Sequence, residues 1–276
     1  ADRVSGEQAP ADAFDPASMA RIVAAVRLAA GVDFTGYKRP SLVRRVRHRM
    51  FEVGVGSYEQ YQDVLALDPD EFTALFNTIL INVTSFFRDP AAWDELRKKV
   101  LPALIARRPA GQVLRAWVPG CATGEEAYSM AIVLTEVMEK EGIRCPVQLF
   151  GTDINEAVLI RARAGLYPER IKEDVSPERL RKFFTKSDGG YRINKSIRDL
   201  CMFARQNLFE DPPFSHVDLI SCRNLLIYFD DLSRRVAAEA GASPADTAAS
   251  YQFRIESIRC SSTVTPLVRN PATTPV

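Results

Sequence analysis

Val113 to Ser129, VLRAWVPGCATGEEAYS, is the stretch whose reading decides the fold. An apolar run, Val113–Val118, leads into a turn carrying Gly120 and Gly124, and a helical pattern starts at Glu125. Strand, glycine turn and helix start are how a doubly wound α/β domain presents a nucleotide-like ligand. Gly120 lets the chain turn and approach a ligand without a side chain in the way. The amides of Ala122, Thr123 and Gly124 are expected to face that ligand at a helix N-terminus.

Glu125 and Glu126 narrow the ligand. Two carboxylates in the first helical turn repel a phosphate. No Lys-Ser or Lys-Thr follows the second glycine, so the turn is not a P-loop. A ligand carrying positive charge suits it better. S-adenosylmethionine, with an amino group and a sulfonium, is such a ligand. Two acids that merely complement the helix dipole are the competing explanation. On the turn alone the two weigh evenly.

Outward from the turn, strand and helix alternate. Val147–Gly151 reads as a strand, Asn155–Ala164 as a helix, and Val217–Ser221 as a further strand. That alternation predicts a parallel sheet. Asp153, just past the second strand, stands where dinucleotide folds hold a ribose diol, and equally where a helix cap would stand. Residues 166–206 break the alternation. A turn at Asp188-Gly189-Gly190 lies between Tyr191-Arg-Ile-Asn and Leu200-Cys-Met-Phe-Ala on one side and a short helix, Pro177–Phe184, on the other, and predicts a small antiparallel insert.

Toward the N-terminus the period is helical. Met19, Ile22, Val23, Val26 and Leu28 mark a helix that Gly31 ends. Leu42, Val43, Val46, Met50 and Phe51 mark a second, Tyr58–Leu67 capped by Ser57 a third, and Phe72, Leu75, Phe76, Ile79 and Leu80 a fourth. Residues 15–82 are therefore expected to form a helical bundle. Asn82–Pro90, dense in β-branched and aromatic residues, reads as the joint to a second domain over 83–231. Residues before about 12 read as a leader, and 232–276 as a poorly ordered or atypical tail, with at most a strand in Tyr251–Ile258.

Composition is that of a soluble protein: 276 residues, 46% hydrophobic, 26% charged and a net charge of +1. No apolar run approaches the roughly 18 to 20 residues of a membrane span, and the first ten residues carry no signal-like apolar stretch. Five scattered cysteines without a C-x-x-C pair point to a reducing, cytoplasmic setting. His48 and His216 have no ligand-like spacing, so no metal is expected.

Five stretches together resemble one family: NVTSFFRD (82–89), VPGCATGEEAYS (118–129), FGTDI (150–154), ARQNL (204–208) and CRNLLIYF (222–229). They are similar to the bacterial chemotaxis receptor glutamate O-methyltransferases, the CheR family, over about residues 20–231. The resemblance implies a class I, Rossmann-like methyltransferase domain of α/β class with a small antiparallel β insert, preceded by an all-α domain. It implies S-adenosylmethionine as cofactor and no metal. It implies that Asn82, Thr84 and Arg88 lie over the cofactor, that Gly120 and Glu126 meet its methionine end, and that Asp153 holds its ribose. Asn207 and Leu208 would flank the adenine, and Arg223 with Asn224 would close the pocket. Arg88 and Tyr228 match positions that orient the substrate carboxylate. Taken singly, Arg88 could be a helix-cap partner of Asp89, and Asn207 part of a turn before Pro212-Pro213.

The stretch KRPSLVRRVRHR (38–49) carries Arg44, Arg45, Arg47 and Arg49 with no acid among them. Such a patch on a balanced chain predicts an acidic partner. The resemblance makes that partner the cytoplasmic methylation helices of chemoreceptors. Nucleic acid is disfavoured because no aromatic platform accompanies the charge. The resemblance adds a receptor C-terminal peptide docking on the insert, but the turn at 187–190 is short, so dependence on that peptide is expected to be weak or absent. The helix, glycine turn and final hairpin that end the family's pattern are not recognisable after Asp231. The alternative function is therefore a cofactor-binding signalling module without turnover, its sheet lacking the last two strands.

Overall fold

The computed structural model describes residues 16–229 apart from 31, 33, 35, 81, 110, 209, 226 and 227. The expected leader, the helix end at Gly31, the tail 232–276 and the strand in 251–258 lie outside the described residues. The chain divides into two compact units, one ending at Ile81 and one beginning at Asn82.

The first unit contains α1 (Pro16–Ala30), α2 (Arg39–Glu52), α3 (Tyr58–Leu67) and α4 (Pro69–Ile79). Ser57 and Gln60 form a reciprocal capping box at the start of α3. Asp68 both ends α3 and caps α4, accepting the amide of Asp70, and Pro69 takes the first helical position, where no N–H is needed. Ile22, Val26, Val46, Tyr61 and Leu75 are fully enclosed. Leu28 and Phe51, read as core from sequence, are 87% and 84% exposed. Leu28 is two positions past Val26, and Phe51 one past Met50, and residues at those separations do not share a helix face.

Glu71, buried on α4, is the polar centre of this unit. It accepts a hydrogen bond from Tyr61 Oη at 2.5 Å and two from the Arg49 fork, one from Nε at 3.0 Å and one from Nη2. Burial and the adjacent carboxylate push the Tyr61 phenol well up, and Glu71 raises Arg49 further above its ordinary value. Arg49, read from sequence as part of a partner surface, is thus tied to Glu71 and to Glu52. Arg44 and Arg47 are exposed, Arg47 donating to Tyr58 Oη, and Arg45 is half-buried.

The second unit opens with α5 (Pro90–Glu95), a π-helical stretch (Leu96–Val100) and α6 (Leu101–Ala106). Then β1 (Leu114–Pro119), α7 (Glu125–Glu141), β2 (Val147–Asp153), α8 (Glu156–Ala164), β6 (Cys201–Arg205) and β7 (Leu219–Ile220) build a parallel sheet of order β6-β2-β1-β7. Between α8 and β6 lie β3 (Leu166–Pro168), a 3-10 turn (Glu169–Glu173), α9 (Pro177–Phe183), β4 (Phe184–Ser187), β5 (Gly190–Ile193) and α10 (Lys195–Arg198). Here β3, β5 and β4 form the expected antiparallel insert.

One boundary differs from the sequence reading. Cys201–Arg205, taken there as a flank of the insert, leaves it and pairs in parallel with β2, Leu149 opposite Cys201 and Asp153 opposite Arg205. Its neighbours along the chain are the insert, but its hydrogen-bonding partner is about 50 residues away, which local pattern cannot encode.

The two faces of the sheet follow the strand alternation. Leu114, Ala116, Val118 and Leu149 pack with α7 in the main core, while Trp117 and Phe150 face the other way with Phe214. The Phe150 and Phe214 rings stack at 4.2 Å. Because all four strands run the same way, their carboxyl ends share one edge. Adjacent to β1, β2 lies on one side and β7 on the other, so the chain's winding reverses there, and such a switch point opens a ligand crevice. Among the described residues no helix is long and apolar enough to cross a membrane, and no group of three or more His, Cys, Asp or Glu side chains is placed to hold a metal.

Candidate active site

Four segments leave the carboxyl edge of the sheet: 120–124 after β1, 154–155 after β2, 206–208 after β6 and 221–225 after β7. In the first, Gly120 and Gly124 have φ of +66° and +93°, and Ala122 is also left-handed at +47°. A side chain on Gly120 would meet Leu225 at 2.8 Å, and one on Gly124 would meet Ala162 at 3.0 Å. The left-handed backbone therefore favours glycine at both positions, and a side chain there would also press on Leu225 or Ala162.

Asp153 anchors this turn. Its Oδ2 accepts the amide of Ala122 and its Oδ1 the amide of Asn155, both at 2.9 Å. It therefore joins the turn after β1 to the cap of α8, where Asn155 accepts the Ala157 amide. Asp153 is 8% exposed, and burial raises its pKa against the pull of those amides. The Ile154 amide also bonds this carboxylate, which keeps acceptor capacity for a hydroxyl donor.

The two adjacent glutamates, equivalent in sequence, diverge in space. Glu125 accepts the Thr123 hydroxyl at 2.6 Å, and the Thr123 carbonyl accepts Tyr167 Oη of the insert. Glu126 accepts Ser221 Oγ at 2.6 Å, across from the segment after β7. Burial raises both, and carries Glu126 to about 7, against the opposing hydrogen bond from Ser221 and the nearby charges of Arg223 and Arg88. Among the described residues no ion pair neutralises Glu126. Desolvation of an acid without a counter-ion is the expected environment for a ligand cation.

Arg88 is exposed, and its Nη1 donates to the Val83 carbonyl at 3.2 Å. The backbone around it is unusual: Phe87 and Asp89 both have positive φ, 49° and 55°. Asn82 and Thr84 stand a few residues upstream, half-buried. Arg223 is 6% exposed; its Nη2 donates to the Arg88 carbonyl at 2.7 Å and to Asp89 Oδ2 at 2.8 Å. Asn224 follows in a left-handed conformation (φ 58°), and Tyr228 is half-buried, its amide on the Leu225 carbonyl. Glu126, Arg88, Arg223 and the Asn224 backbone are thus gathered at the β1–β7 side.

Asn207 and Leu208 stand on the β6 side. The Asn207 amide bonds Asp211 Oδ2 and its Nδ2 bonds Glu210 Oε2, both at 2.7 Å, so its side chain takes part in the turn that precedes Pro212. Leu208 packs on the Trp117–Phe150–Val217 cluster. Sequence reasoning named neither Ser221 as the partner of Glu126 nor Trp93, Ser129 and Asp89 as supports of the Arg88 loop. A serine at the carboxyl end of the strand VDLIS was the available signal for the first; the others left none.

A parallel sheet with a glycine turn at its switch point, and acids gathered at its carboxyl edge, are the architecture of a class I methyltransferase-like domain, preceded along the chain by a separate helical unit. Family comparison agrees. Residues 82–245 match the model described as CheR methyltransferase, SAM binding domain, and residues 17–80 match CheR methyltransferase, all-alpha domain. The chain belongs to the CheR methyltransferase family. It is 41% identical over 219 residues to an uncharacterized 104.1 kDa protein in the hypE 3′ region of Rhodobacter capsulatus, covering 79% of this chain but 23% of that protein. It is 34% identical to the putative methyltransferase Cher3 of Pseudomonas putida, covering 78% of this chain and 79% of the relative. It is 32% identical to chemotaxis protein methyltransferase 2 of Vibrio cholerae, covering 76% and 74%.

Proposed function

We propose that this chain transfers a methyl group from S-adenosylmethionine to glutamate side-chain carboxylates of chemoreceptors, giving methyl esters. The observation that carries the reading is Glu126: an acid at the switch point, raised to about 7, bonded to Ser221, with no ion pair among the described residues. Its partner is then a ligand ammonium. Asp153 offers its remaining lone pairs to a ribose diol. Gly120 contributes a backbone without a side chain, and Asn82, Thr84, Asn207, Leu208 and Asn224 border the crevice. The kinship with proteins named chemotaxis protein methyltransferase supports the substrate class.

When bound, the cofactor supplies a methyl group on a sulfonium, itself a good leaving group. A glutamate nucleophile is ionised at neutral pH, its ordinary pKa being about 4.3. No general base is therefore needed from the chain. The task of the residues is orientation. Arg88, exposed and cationic, offers a planar fork to hold the incoming carboxylate, and Tyr228 is assigned a second orienting role. On the helical unit, exposed Arg44 and Arg47, with Arg45, form the basic face offered to an acidic receptor helix; Arg49 shares it only in part, being paired with Glu71. No observation favours the module without turnover, whose premise concerns residues outside those described.

The test is transfer of labelled methyl from the cofactor to a receptor cytoplasmic fragment, read as base-labile methyl ester, beside calorimetric binding of S-adenosylhomocysteine. Product binding and ester formation are expected. Binding without ester on any receptor fragment, or label on RNA instead, overturns the reading. Arg88→Ala is expected to lower transfer by about 100- to 1000-fold while leaving product affinity within about threefold, the scale of losing an oriented charge.

A further inference from the structure

We infer that Arg223 is a positioning residue that fixes the Arg88 loop, rather than a wall of the cofactor pocket; this rests on the proposed role of Arg88. Residues 86–89 hold two non-glycine residues with positive φ, Phe87 and Asp89. Such conformations persist only where neighbours over-determine them. Three groups do so here. Ser129 Oγ, on α7, accepts the Phe87 amide at 3.1 Å while donating to the Glu125 carbonyl. Trp93 Nε1 donates to the Arg88 carbonyl at 2.8 Å. Arg223 Nη2 donates to that same carbonyl and to Asp89 Oδ2.

The Asp89 carboxylate is diverted in doing this. Asp89 occupies the N-cap of α5, yet makes no capping hydrogen bond with its side chain and bonds the arginine instead. The guanidinium also lies 5.3 Å from the centre of the Trp93 ring. Its Nε is buried and meets no acceptor among the described residues. A buried cation with an unsatisfied donor is a poor device for stability. Its fork is instead spent on the backbone of the residue that carries the proposed substrate-orienting charge. Because Ser221, two residues earlier, bonds Glu126, one short segment touches both the ammonium-binding acid and the Arg88 loop.

The experiment compares Arg223→Met, Arg223→Lys and Asp89→Asn in the full chain. Arg223→Met is expected to lower kcat for methyl transfer about 100-fold, the cost of a misplacement of about 1 Å, with the Kd for S-adenosylhomocysteine changed less than about threefold. Arg223→Lys, which keeps a donor and the charge, is expected to recover at least a few-fold of the lost kcat. Adding Arg88→Ala to Arg223→Met is expected to cost far less than Arg88→Ala alone, since coupled residues are not additive. A tenfold or larger loss of product affinity at unchanged kcat, or full additivity, overturns the inference. Hydrogen exchange at the Phe87 amide and the Trp93 indole needs no turnover: Arg223→Met and Asp89→Asn are expected to speed it about tenfold. Unchanged exchange also overturns the positioning role. Faster exchange in a chain whose unmutated form esterifies no receptor leaves the loop assignment standing and removes the proposed function.

Discussion

Two glutamates, one in each unit, are handled in opposite ways. Glu71 of the helical unit is buried and brings its partners with it: the Arg49 fork and the Tyr61 hydroxyl. Glu126 of the α/β unit is half-buried, has a serine hydroxyl for company, and is raised to about 7. The first is a satisfied structural network. The second leaves an electrostatic need that the chain does not meet. Arg88 and Arg223 are near enough to pull its pKa down, but Arg223 is bonded to the Arg88 carbonyl and Asp89, and Arg88 to the Val83 carbonyl. An acid kept short of a counter-charge beside a glycine turn is what separates a binding site from a core.

The contrast breaks first at Glu71. Glu71→Ala leaves Arg49 with the exposed Glu52 alone and the Tyr61 hydroxyl without its acceptor, and is expected to destabilise the chain by about 2–4 kcal/mol. Chemical denaturation reads this loss, and affinity for S-adenosylhomocysteine in the folded fraction is expected to stay within about twofold. If product affinity collapses as well, the two acids are not independent.

Glu126→Gln is expected to do the reverse. Product affinity falls about 10- to 100-fold by calorimetry, the scale of a lost charge-assisted hydrogen bond. Stability moves the other way. A carboxyl raised from 4.5 to about 7 in the folded chain stabilises the fold while it is protonated. That stabilisation is lost as pH climbs from about 4.5 through about 7, and amounts to about 3 kcal/mol over that interval, since each pH unit within it is worth about 1.4 kcal/mol. Above that range Glu126→Gln is therefore expected to be the more stable protein by about 1–3 kcal/mol, allowing for a weaker bond to Ser221. Equal stability of the two proteins at about pH 8 would remove the claim that Glu126 is desolvated.

A smaller effect follows from the same titration. An ammonium ligand selects ionised Glu126, so product affinity is expected to rise roughly tenfold between about pH 6 and about pH 8, the change in ionised fraction for a group near 7. In Glu126→Gln that slope is expected to vanish. Smallest is the effect of the basic face. Arg44→Ala and Arg47→Ala are expected to raise the KM for receptor by about two- to fivefold each at low salt and by less at high salt, as exposed charges screened by ions do. Arg49→Ala, by contrast, is expected to lower stability first.

Much of this was legible in the residues. The strand, glycine turn and helix of 113–129 were readable because each is governed by neighbours a few positions away: apolar run, positive φ, first-turn acids. The cap at Ser57 was readable for the same reason. Joint motifs named the family, and the crevice residues are proposed from the same motifs. The errors fall where the partner is distant. Leu28 and Phe51 looked periodic but stand off the buried stripe, and Cys201–Arg205 looked like hairpin until β2 claimed it.

The sequence by itself determined the element types, the acidic character of the turn and the family. Tertiary structure decided which of two adjacent glutamates meets the segment after β7, that Arg49 serves Glu71, and that Arg223 grips a carbonyl 135 positions away. Caps, turns and periodicity act within one or two turns of chain, so the residue string carries them locally. The choice of a partner 95 or 135 residues away is made by strand order and packing, which exist only once the sheet has closed around β1.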